Sequence, residues 1–420
     1  MHAMHLALWS VSIWLLLATP GLAEEQQIVA HFDPITVDPQ LTLPGVIDLT
    51  LEKYPEGALL PALQQEAEAL QRRGDSWLAG ALNAVFFYRN SWAKDAVNTG
   101  APEFEGAIEV PLWNWGQRAA GQQVAENAAK ASKLQAKVLK LQVAGLVRKA
   151  LWDLRLESKR HELARRVYEI EKKLTATVRR RVESGDLPRT DLLLAESELL
   201  VAQTALVHAE AEEMHARKHY SILTQMQRLP ADFEEQQSAI SIIDDQHPLL
   251  NAMNAAIARK KAELQWVKAA GSGQTTVAVG VNSQIGSNPE VAAETVTLEI
   301  NMPFGGGAHL APEIADANLQ LTEVFAQRNR LYRRLLTDLH EAEHALEIDH
   351  AELAIALQRQ KIAREYLKIG RISFAAGETD LLDFLKMQSR SFAAIEEAAE
   401  RRIILQRDIA LYNQAAGVLP

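Results

Sequence analysis

The sequence predicts an α+β fold, mostly α, in which one unit, a strand hairpin followed by a long helical hairpin, occurs twice. Three observations carry this expectation. The segment RVESGDLPRTDLL at 181–193 returns in degenerate form as SFAAGETDLLDFL at 373–385, 192 positions later, so that Gly185 answers to Gly377 and Asp191 to Asp383. Each glycine lies between two long apolar-periodic, charge-rich runs, as at the tip of a helical hairpin that needs a left-handed residue. Upstream of each copy the apolar period changes from that of a helix to that of a strand. Finally, Val110-Pro111-Leu112 and Met302-Pro303-Phe304 recur at the same 192-residue spacing. A repeat of this length governs the architecture, so it is read before any single motif.

Residues 1–23 have the form of a secretory signal peptide, with an apolar stretch from Leu6 to Ala18 and the small-residue site Gly21-Leu22-Ala23. The n-region carries no Lys or Arg. The apolar stretch is nevertheless short beside the roughly 20 residues of a membrane span, which favours cleavage. The segment 24–46, punctuated by Pro34, Pro39 and Pro44, suits an extended N-terminal tether. Past Ala23 no uninterrupted apolar run approaches a transmembrane helix, so a membrane crossing by the rest of the chain would need strands.

A first repeat is expected over 47–230, with a helix, strands at 77–90 and 103–112, and long helices at 116–182 and 189–228. A linker at 231–247 leads to a second repeat over 248–420, with a helix, strands at 275–285 and 291–304, and long helices at 308–372 and 379–415. At 1.5 Å per residue each longer helix spans on the order of 100 Å, more than a compact core can cover. Along the return helix, Leu192, Ala195, Leu199, Ala202, Leu206 and Ala209 alternate steps of three and four, the pattern of coiled-coil packing. Gly145 interrupts the first long helix where no cap is needed, marking a bend or a close contact. The proline of each tripeptide removes a ladder donor, so Pro111 and Pro303 are expected to end their strands at strand-helix junctions.

The strands alternate polar and apolar faces. Glu103, Glu105 and Glu109 oppose Phe104, Ile108 and Val110, while Thr295, Thr297 and Glu299 oppose Val296, Leu298 and Ile300. Such strands, about 10 residues long, fit a membrane barrel with a wet lumen, and each pair alone would also fit a soluble half-buried hairpin. Trp77, Trp113 and Trp115 lie at one end of the first hairpin, with Phe86, Phe87, Tyr88 and Trp92 near its turn, in two aromatic bands. Four strands cannot close a barrel and an open edge is forbidden in lipid, so copies of the chain would have to complete it.

Composition narrows the chemistry. With no cysteine, the chain has no disulfide, thiol-attached lipid, cysteine nucleophile or thiolate metal site. A net charge of -10 makes it a poor nucleic-acid binder by default. No phosphate loop, nucleophile elbow, zincin motif or nucleophile beside a placed base occurs, so neither an enzyme nor a cofactor is expected. His215 and His219, like His340 and His344, have the i, i+4 spacing of a metal-binding pair, but no third ligand lies at fixed spacing and no metal site is assigned.

The chain resembles the outer-membrane efflux (TolC-like) proteins over roughly 41–417, through the paired Pro111 and Pro303 tripeptides, RVESGDLPRTDLLLAESEL and AAGETDLLDFLKMQ. The wording of the first tip is most similar to the heavy-metal resistance-nodulation-division (CzcC-like) subgroup. The resemblance implies a homotrimer with a 12-stranded β-barrel in the outer membrane of a Gram-negative bacterium, continued by a periplasmic α-helical barrel. It also implies docking to a periplasmic adaptor and an inner-membrane resistance-nodulation-division pump. The expected role is that of an exit duct for heavy-metal cations, with drug or type I protein export as alternatives. A periplasmic adaptor, also built on a helical hairpin, is the alternative from another class.

On this reading Asp191, Asp383 and Asp380 stand near the periplasmic aperture, although an Asp near a helix start also serves as a cap. Arg181, Gly185, Asp186, an exposed Leu187, Gly377 and Glu378 form adaptor-docking tips. Glu103, Glu105, Glu109 and Glu299 are lumen carboxylates that would set cation preference. Two departures from the family pattern stand out. Ser373 occupies the place of Arg181 in the second tip, and Lys386 stands where some relatives carry a second tunnel carboxylate.

Overall fold

Helix formation dominates the chain, and its boundaries follow from local chemistry. A computed structural model describes residues 35–90, 102–285 and 292–420. The expectations for the signal peptide at 1–23 and for Trp92 lie outside the described residues. In chain order the elements are β1 (Thr36–Asp38), α1 (Leu43–Lys53), α2 (Leu59–Asp75), β2 (Asn83–Arg89), β3 (Glu103–Leu112), α3 (Gln117–Glu183) and α4 (Arg189–Thr224). There follow β4 (Arg228–Pro230), α5 (Pro248–Ala270), β5 (Thr275–Ile285), β6 (Ala292–Asn301), α6 (Gly307–Ala376) and α7 (Leu381–Ala415).

The two long helices, α3 with 67 residues and α6 with 70, are each about 100 Å long by the helical rise. Neither has a core of its own, so shorter helices clothe them. α3 packs against α2 and α5 on the sheet side and α4 on the tip side, α6 packs against α5 and α7, and α3 meets α7. The packed order on the tip side is therefore α4-α3-α7-α6. The helix α4 is long enough and, by composition, apolar enough to cross a membrane, although Glu196 and Glu198 interrupt its apolar run. Its length is spent along α3, and much of its apolar surface faces outward.

Strands β2, β3, β5 and β6 form one antiparallel sheet in that order, joined across the repeats by the pairing of β3 with β5. Strand β2 is shorter than the expected 77–90. Pro111 lies inside β3 instead of ending it, and its carbonyl accepts from Ala79 N–H on the β2 side. With no N–H to donate in return, it interrupts the ladder there, and regular pairing of β2 begins at Asn83 opposite Glu109. Strand β6 likewise stops at Asn301, short of the expected residue 304, leaving Pro303 beyond the sheet.

Three more expectations are corrected. The segment 24–46 is no tether over its described part. Thr36–Asp38 pairs in parallel with Arg228–Pro230, and α1 begins at Leu43, where Thr42 caps it by accepting from Gly45 N–H. The return helix expected to reach residue 228 ends at Thr224, because Gln225 takes a left-handed conformation (φ 52°) and the chain turns into β4. The linker 231–247 is packed down, with Phe233 and Ile243 buried and the Phe233 ring edge-on to Trp152 at 4.8 Å.

Apolar packing concentrates in three clusters. A middle cluster joins Val46 and Ile47 of α1 to Val143, Val147, Leu151 and Trp152 of α3 and Tyr220 of α4. A second gathers Leu250 of α5, Leu335 and Leu339 of α6, and Leu405 and Tyr412 of α7. The third, at the tips, draws on both hairpins, with Val178, Ala195, Phe374, Leu381 and Phe384 packed together and the two Phe rings stacked at 4.8 Å.

Candidate functional site

The sheet has one apolar and one polar face, because antiparallel register sets directly opposed residues on the same side. Ala84, Ile108, Val279 and Leu298 form one apolar row, and Phe86, Gly106, Val281 and Val296 another. These side chains are exposed, Phe86 at 83% and Val296 at 75%. The opposite face carries all four glutamates singled out from the sequence. Glu103 accepts from Arg89 at 3.1 Å, Asn282 at 2.5 Å and Gln284 at 3.3 Å, and Glu109 accepts from Asn83 at 3.3 Å. Glu299 shares the Glu109 row, and Glu105 shares a row with Asn282 and Thr295. Phe87 intrudes on this polar face opposite Glu105. Among the described residues, β2 and β6 are paired on one side only.

The aromatic band at the helix end of the sheet is incomplete. Trp77 and Trp115 are fully outward, but Trp113 turns in, donating its Nε1–H to Ser76 O at 3.0 Å and meeting Trp266 edge-on at 6.1 Å.

At the far end, the two tips close by the same backbone device. Gly185 (φ 79°) and Gly377 (φ 77°) are left-handed, and the N–H that follows each returns to the carbonyl five residues back, Asp186 to Arg181 and Glu378 to Ser373. That is a Schellman termination. Arg181 ties the tips together. Its guanidinium pairs with Asp186 at 2.5 Å, reaches Phe374 O at 3.4 Å and lies over the Phe374 ring. Leu187, expected to be exposed, is half-buried against the tip cluster, because two hairpins side by side leave an apolar cleft to fill. The outward tip surface is formed by Gly185, Asp186, Gly377 and Glu378.

The three aspartates differ in surroundings. Asp380 is the N-cap of α7, its Oδ1 accepting from Asp383 N–H at 2.7 Å. Asp383 is exposed and paired with Lys386 at 3.0 Å. Asp191 is half-buried in the first turn of α4.

Both flanks of the helical layer carry apolar stripes. On α4, Leu193, Leu200 and Val207 are exposed at heptad spacing, and on α6 so are Ile348, Ile355, Ile362 and Ile369. Measured from the tip glycines the stripes are level, with Leu193 and Ile369 each 8 residues away, Leu200 and Ile362 15, and Val207 and Ile355 22.

Several buried polar groups carry no motif. Arg148, wholly buried, holds Glu235 through two hydrogen bonds of 2.8 and 2.6 Å, Gln414 Oε1 at 2.7 Å and Val418 O at 3.1 Å. Gln414 lies over Gly145, where a Cβ would stand 2.9 Å from its amide carbon, so the glycine marks a close contact. Burial works to raise the Glu213 carboxyl, but hydrogen bonds from Arg217, His161 and Ser158 hold it below its ordinary value. Burial raises Glu171, whose Oε1 accepts from Gln388 while Oε2 has no partner. Only periodicity could have found these positions, since each falls on an inward face. Among the described residues no three His, Asp or Glu side chains group as for a metal ion.

The fold is that of solved outer-membrane channels. Over 89% of this chain and 85% of its own, the CmeC outer membrane channel of Campylobacter jejuni superposes with a TM-score of 0.71 at 15% identity. The outer membrane protein VceC of Vibrio cholerae matches 90% of this chain and 96% of its own, at 0.71 and 14%. The MtrE outer membrane channel of Neisseria gonorrhoeae, in its open state, matches 92% and 91%, at 0.67 and 16%. No family model and no curated relative matches the chain.

Proposed function

We propose that this chain is one protomer of a trimeric outer-membrane exit duct in a tripartite efflux system, conducting solutes passively and catalysing nothing. The observation that carries the reading is the sheet, whose exposed apolar face and two edges, unpaired among the described residues, stand at the end of helices about 100 Å long. An exposed apolar face of that size is unstable in water, and an unpaired edge is unstable in lipid. Three copies joined edge to edge would satisfy both conditions, with 12 strands around a lumen lined by Glu105, Glu109 and Glu299. The shared fold with CmeC, VceC and MtrE supports the same reading.

In this duct the helical layers line a periplasmic tunnel, and the tips at Gly185, Asp186, Gly377 and Glu378 meet a periplasmic adaptor bound to an inner-membrane pump of the resistance-nodulation-division type. Leu187 contributes to tip packing, and Arg181 holds the two tips in register. Asp191 and Asp383 surround the aperture, with Asp383 muted by Lys386, and Asp380 acts through its cap. Heavy-metal cations are the favoured cargo, because the polar sheet face and the tunnel end both carry carboxylates. Drug or protein export shares every other feature.

Two measurements test the proposal. Membranes washed with carbonate should retain the protein, and the purified protein should form cation-preferring pores in planar bilayers. A protein released by the wash would be an adaptor or another peripheral coiled coil. A deletion strain sensitised only to organic toxicants would remove heavy metals from the reading while leaving the duct.

A further inference from the structure

Midway along the second helical hairpin, two carboxyl groups meet across the α6–α7 contact. Asp349 of α6 is 5% exposed, and its Oδ2 is buried with no donor among the surrounding groups. The Asp408 carboxyl of α7, itself largely buried, lies within hydrogen-bonding reach of it. Two carboxylates cannot satisfy one another, since both only accept, whereas a carboxyl and a carboxylate share one proton in a strong hydrogen bond. The other charged groups facing the pair do not relieve this. Arg401 of α7 lies 3.6 Å from Asp349 but binds Glu352 of α6 more closely. Arg407 binds Asp408 at 2.7 Å and also faces Asp153 of α3. Four carboxyls thus confront two guanidiniums at one level of the layer, an excess that a single proton reduces.

We propose that Asp349 and Asp408 form a one-proton latch that fastens α6 to α7 while the proton is held and loosens that contact when it is released to solvent. Burial, with the neighbouring Asp408, pushes the Asp349 carboxyl up to about 7 against the pull of Arg401 and Arg407. A carboxyl raised in the folded state binds its proton more tightly there than when unfolded. Its stabilising contribution is complete below the ordinary carboxylate range and is lost as pH rises through about 7. The latch therefore works within the range of pH that a periplasmic surface meets. It stands 28 residues from the Gly377 tip, where a small change in α6–α7 spacing is carried down both helices.

The test uses the purified full chain. Thermal unfolding of the wild type is expected to shift downward between pH 6 and 8. In Asp349→Asn, whose amide donates to Asp408 at every pH, that component of the shift should vanish, so that the variant's stability advantage over the wild type widens from pH 6 to pH 8. Infrared difference spectra of the wild type should show a carboxylic-acid C=O band that fades over the same interval and is missing from the variant. A variant that follows the wild-type shift, or a wild type without a titrating band assignable to Asp349, overturns the latch. Because neither readout depends on conductance, failure of the duct reading would leave this result interpretable.

Discussion

At the scale of the residue, Arg148 decides the most and shows the least in the sequence. It sits in a charge-rich stretch beside Lys149, yet Lys149 is exposed while Arg148 is wholly buried. All its hydrogen bonds go to groups distant in sequence, Glu235 in the packed-down linker and Gln414 and Val418 near the C-terminus. A buried guanidinium of this kind contributes little net stability as a pair, but removing one partner strands the other charge, at a cost of about 3–5 kcal/mol. Arg148→Met should therefore lower the unfolding free energy by about that amount, as measured by denaturant titration in detergent. Glu235→Gln, which keeps an acceptor, should cost less. A loss below about 1 kcal/mol for Arg148→Met would show that the linker is held by its apolar residues alone. Gly145 is the counterpart that could be read in advance. A glycine inside a long helix marks a bend or a close approach, and Gln414, the Arg148 acceptor, lies against it.

At the scale of the element, the sequence shows the hairpins clearly and the joins between them poorly. Tip glycines, helical periods and strand alternation are local signals, each readable from a short window of sequence. The β1–β4 pair could not be seen, because three residues at 36–38 meet three at 228–230 and neither run is long enough to show a period. The start of β2 falls later than the strand pattern suggests for a related reason, since the effect of Pro111 depends on which side its missing donor faces. The tips also show how alike elements differ in detail. Pro188 opens α4 where Asp380, at the equivalent position, caps α7. Asp380→Ala should thus cost about 1 kcal/mol of stability, and Asp380→Ser should recover most of it. Asp383→Ala, which breaks only an exposed pair with Lys386, should leave stability nearly unchanged. Circular dichroism melts of the three variants would separate a capping role from an aperture role, since a loss of stability at Asp383 equal to that at Asp380 would contradict this division.

At the scale of the whole molecule, the informative surface is the pair of flanks. Within one chain α4 packs on α3, and α6 on α5 and α7, so the stripe of Leu193, Leu200 and Val207 and the stripe of Ile369, Ile362 and Ile355 face away from each other. They run in opposite chain directions and match level for level from the tips, at steps of 7 residues or about 10 Å. A surface that ends in one half of a seam on one side and the other half on the opposite side can join head to tail, and such contacts form a ring where the rotation between copies closes. The burial gained per large aliphatic side chain, about 1.5–3 kcal/mol, makes three matched layers a substantial joint. Since the chain has no cysteine, introduced pairs can report the register without background. Leu193→Cys with Ile369→Cys, and Leu200→Cys with Ile362→Cys, should each oxidise to a covalent trimer on a denaturing gel. Leu193→Cys with Ile355→Cys, offset by two layers or about 20 Å, should remain monomeric. Cross-linking of the offset pair as readily as the matched pairs would dissolve the register, and monomers from all three would leave the stripes without a second copy to cover them.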